Sequence, residues 1–67
     1  MSTVNDPLLP EIETAMRLHE VSATQFGYCA VGDPALVARL RDGMVMRPKR
    51  RAKVMAALVR LNEEGRL

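Results

Sequence analysis

Apolar residues recur along the chain at three- and four-residue spacing, and the breaks between these runs fall at residues that start or stop helices. Leu8, Ile12, Ala15, Met16 and His19 share one face at that spacing, with Glu11, Glu13, Arg17 and Glu20 elsewhere. This predicts an amphipathic first helix that opens at Asp6-Pro7 or Leu9-Pro10 and ends near Glu20. A second helix is expected over about 24–30, opened by a capping box in which Ser22 and Gln25 exchange hydrogen bonds, with Phe26 and either Cys29 or Ala30 turned inward. Val31-Gly32 makes the turn into a third helix. There Asp33 is a good N-cap, Pro34 suits the first helical position and Gly43 supplies a left-handed stop, which leaves about nine residues between them. Leu36, Val37 and Leu40 face in, while Ala35, Ala38, Arg39 and Asp42 face out. After a loop carrying Met44 and Met46, Pro48 opens a fourth helix to about Asn62, with Val54, Ala57, Leu58 and Leu61 as its core stripe and Met55 and Val59 as a second apolar stripe.

The expected architecture is therefore all-α: a compact domain of four to five helices over 6–62, preceded by a flexible arm at 1–5 and followed by a short tail at 63–67. Only Phe26 and Tyr28 are aromatic and there is no Trp, so the core must be built from Leu, Val, Ile, Met and Ala, which favours helices over a stacked sheet. A chain of 67 residues buries a modest core, and self-association would help its stability. Cys29 is the single cysteine, read as a small core residue; it has no disulfide partner within the chain and fits a reducing cytoplasm. No apolar run approaches the roughly 20 residues of a bilayer span, and no signal-peptide pattern is expected, so neither membrane nor export enters the picture.

Net charge of +2 hides a sharp asymmetry. Up to Asp33 the only Lys or Arg is Arg17, against Asp6, Glu11, Glu13, Glu20 and Asp33. Beyond it stand Arg39, Arg41, Arg47, Lys49, Arg50, Arg51, Lys53, Arg60 and Arg66, against Asp42, Glu63 and Glu64. Most of that basic charge lies between Arg39 and Lys53, dense enough to create a field that a polyanion would feel. Catalysis finds little support. The sequence holds no nucleophile–base set around its lone His19, no phosphate-cradling glycine loop and no metal constellation, and no cofactor is expected.

The block from Ser22 to Gly43 resembles the helix-turn-helix of lambda-repressor-like (Cro/C1, XRE-type) regulators. Phe26 and Gly27 stand as the large and small pair, Val31-Gly32 as the turn, Asp33 as the cap, Val37 as the buried aliphatic and Gly43 as the stop. Val31 and Gly32 depart from the family pattern, which has glycine first and an aliphatic second. VGDPALVARLRDG followed by a basic stretch also resembles small helix-turn-helix proteins of alphaproteobacteria and their phages, and the likeness spans roughly 11–61.

The resemblance implies a sequence-specific regulator of transcription bound to double-stranded DNA and associated with the nucleoid. Its third helix would enter the major groove, with Pro34, Ala35, Ala38 and Arg39 near base edges and Arg39 pairing with guanine O6 and N7. Ser22, Thr24, Arg47, Lys49, Arg50, Arg51 and Lys53 would contact phosphate and supply affinity rather than sequence reading. Each has a plainer reading. Arg39 is equally a solvated arginine, Arg41 a partner for Asp42 or a first-helix carboxylate, and the basic run a solvated helix face. Met55 and Val59 are either core or a homodimer surface. RNA polymerase or a second regulator is a further candidate partner. The alternative function is a helical protein-interaction module, adaptor or antitoxin-like, for which DNA is incidental.

Overall fold

The computed structural model describes residues 5–67. Four helices account for its regular structure: α1 (Leu9–Leu18), α2 (Ala23–Val31), α3 (Leu36–Arg41) and α4 (Pro48–Glu64). The described residues are all-helical in their regular structure, as the apolar spacing predicts, with four helices among them rather than five. The arm expected at 1–5 lies, except for Asn5, outside the described residues.

One apolar cluster organises the fold. Ile12 and Met16 from α1, Phe26 from α2, Leu36, Val37 and Leu40 from α3, and Val54, Leu58 and Leu61 from α4 meet in it, with Met46 from the loop before α4. The helical residues among these are the ones the spacing assigns to the interior; Met46, in the loop, joins them without having been assigned there. Packing such a cluster is the main favourable term, because burying one Leu, Ile or Phe side chain contributes about 1.5–3 kcal/mol. His19 is half-buried at the end of α1, and Cys29, expected inside, is exposed. The inward face of α2 centres between Phe26 and Gly27, with Ala23, Ala30 and Val31 beside it, and this leaves Cys29 and Tyr28 on the far side.

Helix ends follow their capping chemistry. The Ser22 hydroxyl accepts the Gln25 N–H at 3.0 Å, one half of the expected capping box. Gly32 ends α2 at φ 74°, its N–H donating to the Tyr28 carbonyl at 2.8 Å, and Gly65 ends α4 in the same conformation two residues beyond the stop expected from the sequence. At the end of α1 the left-handed position falls to a non-glycine residue, Glu20, at φ 54°.

The third helix is shorter than its caps suggest, six residues rather than about nine. Asp33 does cap the segment: its Oδ1 accepts the Ala35 N–H at 2.9 Å. But its carbonyl takes the Leu36 N–H at 3.1 Å, an i→i+3 bond, so Pro34 and Ala35 form a tight turn and regular helix begins only at Leu36. The same turn recurs at the start of the chain. Asp6 Oδ1 accepts the Leu8 N–H and the Asp6 carbonyl accepts the Leu9 N–H, each at 3.0 Å.

Candidate nucleic-acid interface

The approach of α2 to α3 is closer than any side chain would permit. A β-carbon on Gly27 would overlap the Asp33 carbonyl oxygen and come within 3.0 Å of Leu36 Cβ, so the absence of a side chain lets the turn sit directly on α2. The Asp33 N–H donates to the Gly27 carbonyl at 3.2 Å across that contact. Together with the Gly32 stop, this fixes α3 relative to α2 through backbone rather than through flexible side chains.

On the outer side of that unit, Pro34, Ala38 and Arg39 are exposed and Ala35 is half-buried. Ser22 and Thr24, both exposed, open α2. Arg39 is not free: its Nη1 donates to Asp33 Oδ2 at 3.0 Å, although 59% of its side-chain surface stays in solvent. The same Oδ2 accepts Arg50 Nη1 at 3.4 Å from the first turn of α4. One carboxylate therefore joins the outward face of α3 to the basic end of α4.

Arg47, Lys49, Arg50 and Lys53 line a concavity of about 480 Å³ whose apolar lining includes Val31, Met44 and Met46. Pro48 stands at the first position of α4, and no side chain caps that terminus. Uncapped N–H groups and four cations around one hollow form a local anion-attracting field. Helical rotation of about 100° per residue then divides the exposed side of α4 into two flanks. Lys49, Lys53 and Arg60 lie on one; Met55 and Val59, about half exposed, lie on the other, so they are not core.

Arg51 is placed differently from its neighbours. Its Nη1 donates to Asp6 at 2.8 Å and its Nη2 to the Met46 carbonyl at 2.9 Å, which engages both terminal nitrogens within the protein although the side chain is half-buried rather than enclosed. Asp6 is the one buried charged side chain among the described residues, and its Oδ2 also accepts the Met46 N–H at 2.6 Å. Burial pushes the Asp6 carboxyl up, but the Leu8 and Met46 N–H groups and the Arg51 guanidinium outweigh it and hold the group below the ordinary aspartate value. Arg41 pairs with Glu13 of α1 through two hydrogen bonds, at 2.7 and 2.9 Å, and so takes up the first-helix carboxylate rather than Asp42. Those bonds hold Glu13 below its usual value.

Sequence reasoning read Asp6 only as a helix start and missed its role as the anchor of Arg51 and Met46. The available signal is the repeat of Asp-Pro followed one residue later by Leu, at Asp6 and again at Asp33. Compared with known protein families, with curated proteins and with solved structures, the chain matches none. Among the described residues no helix is long and apolar enough to cross a membrane.

Proposed function

We propose that this protein is a sequence-specific double-stranded DNA-binding regulator with a lambda-repressor-like helix-turn-helix, acting by binding rather than by catalysis. The observation that carries this reading is the Asp33 bridge, which unites an exposed arginine on the short α3 with the cationic end of α4. A groove-reading face of small residues, Pro34, Ala35 and Ala38, surrounds Arg39 and lets backbone approach the base edges. Arg47, Lys49, Arg50 and Lys53 supply phosphate contacts beside it, joined by Ser22 and Thr24 at the start of α2. Arg51 belongs to the frame that holds α4 in place, because its donors are already engaged with Asp6 and Met46. The close Gly27 contact supports the rigid α2–α3 geometry that groove insertion requires.

The test is selection of bound fragments from genomic DNA across a salt series, with Arg39→Ala and Lys49→Ala beside the parent. The reading expects one enriched motif, relaxed at particular positions in Arg39→Ala and weakened evenly in Lys49→Ala. In Lys49→Ala the slope of log K against log salt should become shallower by about 0.9. Absence of binding at low salt would remove it. A second reading, the helical protein-interaction module, is favoured by the exposed Met55 and Val59 flank. It predicts a partner complex sensitive to Met55→Ser and indifferent to Arg39→Ala. If the same flank joins two copies, sedimentation shows a dimer that Met55→Ser dissociates.

A further inference from the structure

Resting on the DNA-reading assignment above, we infer that Asp33 is a specificity-determining positioning residue. Its carboxylate restrains Arg39 from phosphate and offers it to a neutral base edge, suppressing binding to DNA that lacks the preferred sequence. The carboxylate is itself anchored before it meets any arginine. Oδ1 accepts the Ala35 N–H at 2.9 Å, the backbone is tied to Gly27 and Leu36, and only 18% of the side-chain surface is exposed. Oδ2 then takes Arg39 Nη1 at 3.0 Å. A guanidinium has five N–H donors, so a single bond to Asp33 leaves an edge for a second recognition event.

The two kinds of DNA contact respond differently to that restraint. To reach a phosphate, Arg39 must either leave Asp33 or draw a fixed carboxylate toward another anion, and both reduce the gain. Guanine O6 and N7 carry no formal charge, so they accept the free edge of Arg39 without repelling the carboxylate behind it. Every duplex offers phosphates, while only the preferred sequence offers that edge at that place. Asp33 therefore weakens non-specific binding more than specific binding. Arg50 shares the same oxygen at the longer distance of 3.4 Å, so its transfer to phosphate leaves the carboxylate to Arg39.

The experiment compares wild type, Asp33→Asn, Arg39→Ala and the double variant on two duplexes: the motif selected by wild type and a scrambled sequence of equal length and composition. Asn keeps an acceptor for the Ala35 N–H, and Asp33→Ser does the same if Asn fails to fold, as checked by thermal melting. Asp33→Asn is expected to bind the scrambled duplex about fivefold more tightly at low salt, the factor of one exposed charge pair. Its affinity for the motif should rise less, and its salt slope should steepen by up to about 0.9 per phosphate newly contacted. Relaxed base preference should be confined to the positions that Arg39→Ala also relaxes, and in the Arg39→Ala background Asp33→Asn should leave the ratio of the two affinities unchanged, since the release of Arg50 strengthens both duplexes alike. If wild type selects a motif but the ratio of the two affinities is unchanged in Asp33→Asn, or falls equally with and without Arg39, this role of Asp33 is overturned while the DNA-reading assignment stands. If wild type binds neither duplex, both fall.

Discussion

Asp6-Pro7-Leu8-Leu9 and Asp33-Pro34-Ala35-Leu36 build the same turn, with the carboxylate on the N–H two residues ahead and the carbonyl on the N–H three ahead. Each carboxylate also takes arginine, Asp6 through the same Oδ1 that caps its turn and Asp33 through its other oxygen, Oδ2. Around Asp6 the partner is Arg51, less than a third exposed, and the Met46 N–H completes an enclosed clasp. Around Asp33 the partners are Arg39 and Arg50, both more than 40% exposed, at the edge of the cationic hollow. One local motif thus serves two ends: enclosed, it fastens the chain; open to solvent, it leaves charge where a ligand can claim it. What separates them is burial, since a paired charge cut off from water is costly to orphan and one at the surface is not.

The largest effect should come from breaking the enclosed member. Asp6→Ala strands the Arg51 guanidinium and two N–H groups, and urea unfolding should show a loss of about 3 kcal/mol, a large part of the stability of so small a domain. Asp33→Ala removes a turn cap and should cost only about 1 kcal/mol in the same assay. Equal losses would erase the distinction between the two sites.

Next is Gly27→Ala, which intrudes on the carbonyl of the open member and on Leu36; overpacking there should cost about 2 kcal/mol and displace α3. Under the proposed DNA-binding function it should relax the selected motif at the positions assigned to α3, whereas Asp6→Asn should lower stability and leave the motif intact.

Acid sharpens the contrast from the enclosed side. Because the Asp6 carboxyl sits below its ordinary value in the folded protein, the unfolded chain binds more protons at that site. The stabilisation is complete above the ordinary aspartate range, around pH 4, and is lost as pH falls through the lower folded value. Unfolding free energy measured from pH 6 to 2 should therefore drop on the acid side in wild type and drop less in Asp6→Asn, with Glu13 supplying part of the remainder. The smallest effect lies off both turns. Glu20→Gly relieves a left-handed residue and should raise stability by about 0.5 kcal/mol without changing DNA selection.

Much of this frame is legible along the chain, because helix faces are local facts. Ser22, Gly32 and Pro48 mark ends that a capping argument can read, and the inward residues of α3 and α4, with Ile12, Ala15 and Met16 of α1, follow from spacing alone, whereas the buried Leu9 does not. The partners of the arginines are not local. Nothing within the run Arg47 to Lys53 distinguishes Arg51 from Arg50; the difference arises when Asp6, 45 residues away, is folded against one and not the other. Nor does spacing foresee that Gly27 rotates the inward face of α2 and leaves Cys29 outside. The shortness of α3 escapes for a similar reason: Asp33 marks a true cap, and only the backbone bond to Leu36 reveals that the first turn is wound too tightly to count as helix.

The Asp6 clasp also bears on the order of events in folding. It joins residues 40 and 45 positions apart, so a loop of more than half the chain must close before any of these bonds forms, whereas α2, the turn and α3 meet through near neighbours. The cost of closing so long a loop leads us to expect this contact to form after the nucleus rather than within it. Its removal in Asp6→Asn should steeply hasten unfolding while leaving the refolding arm of a denaturant chevron almost unmoved, so that the clasp acts as a latch on the finished molecule and governs how long it stays shut.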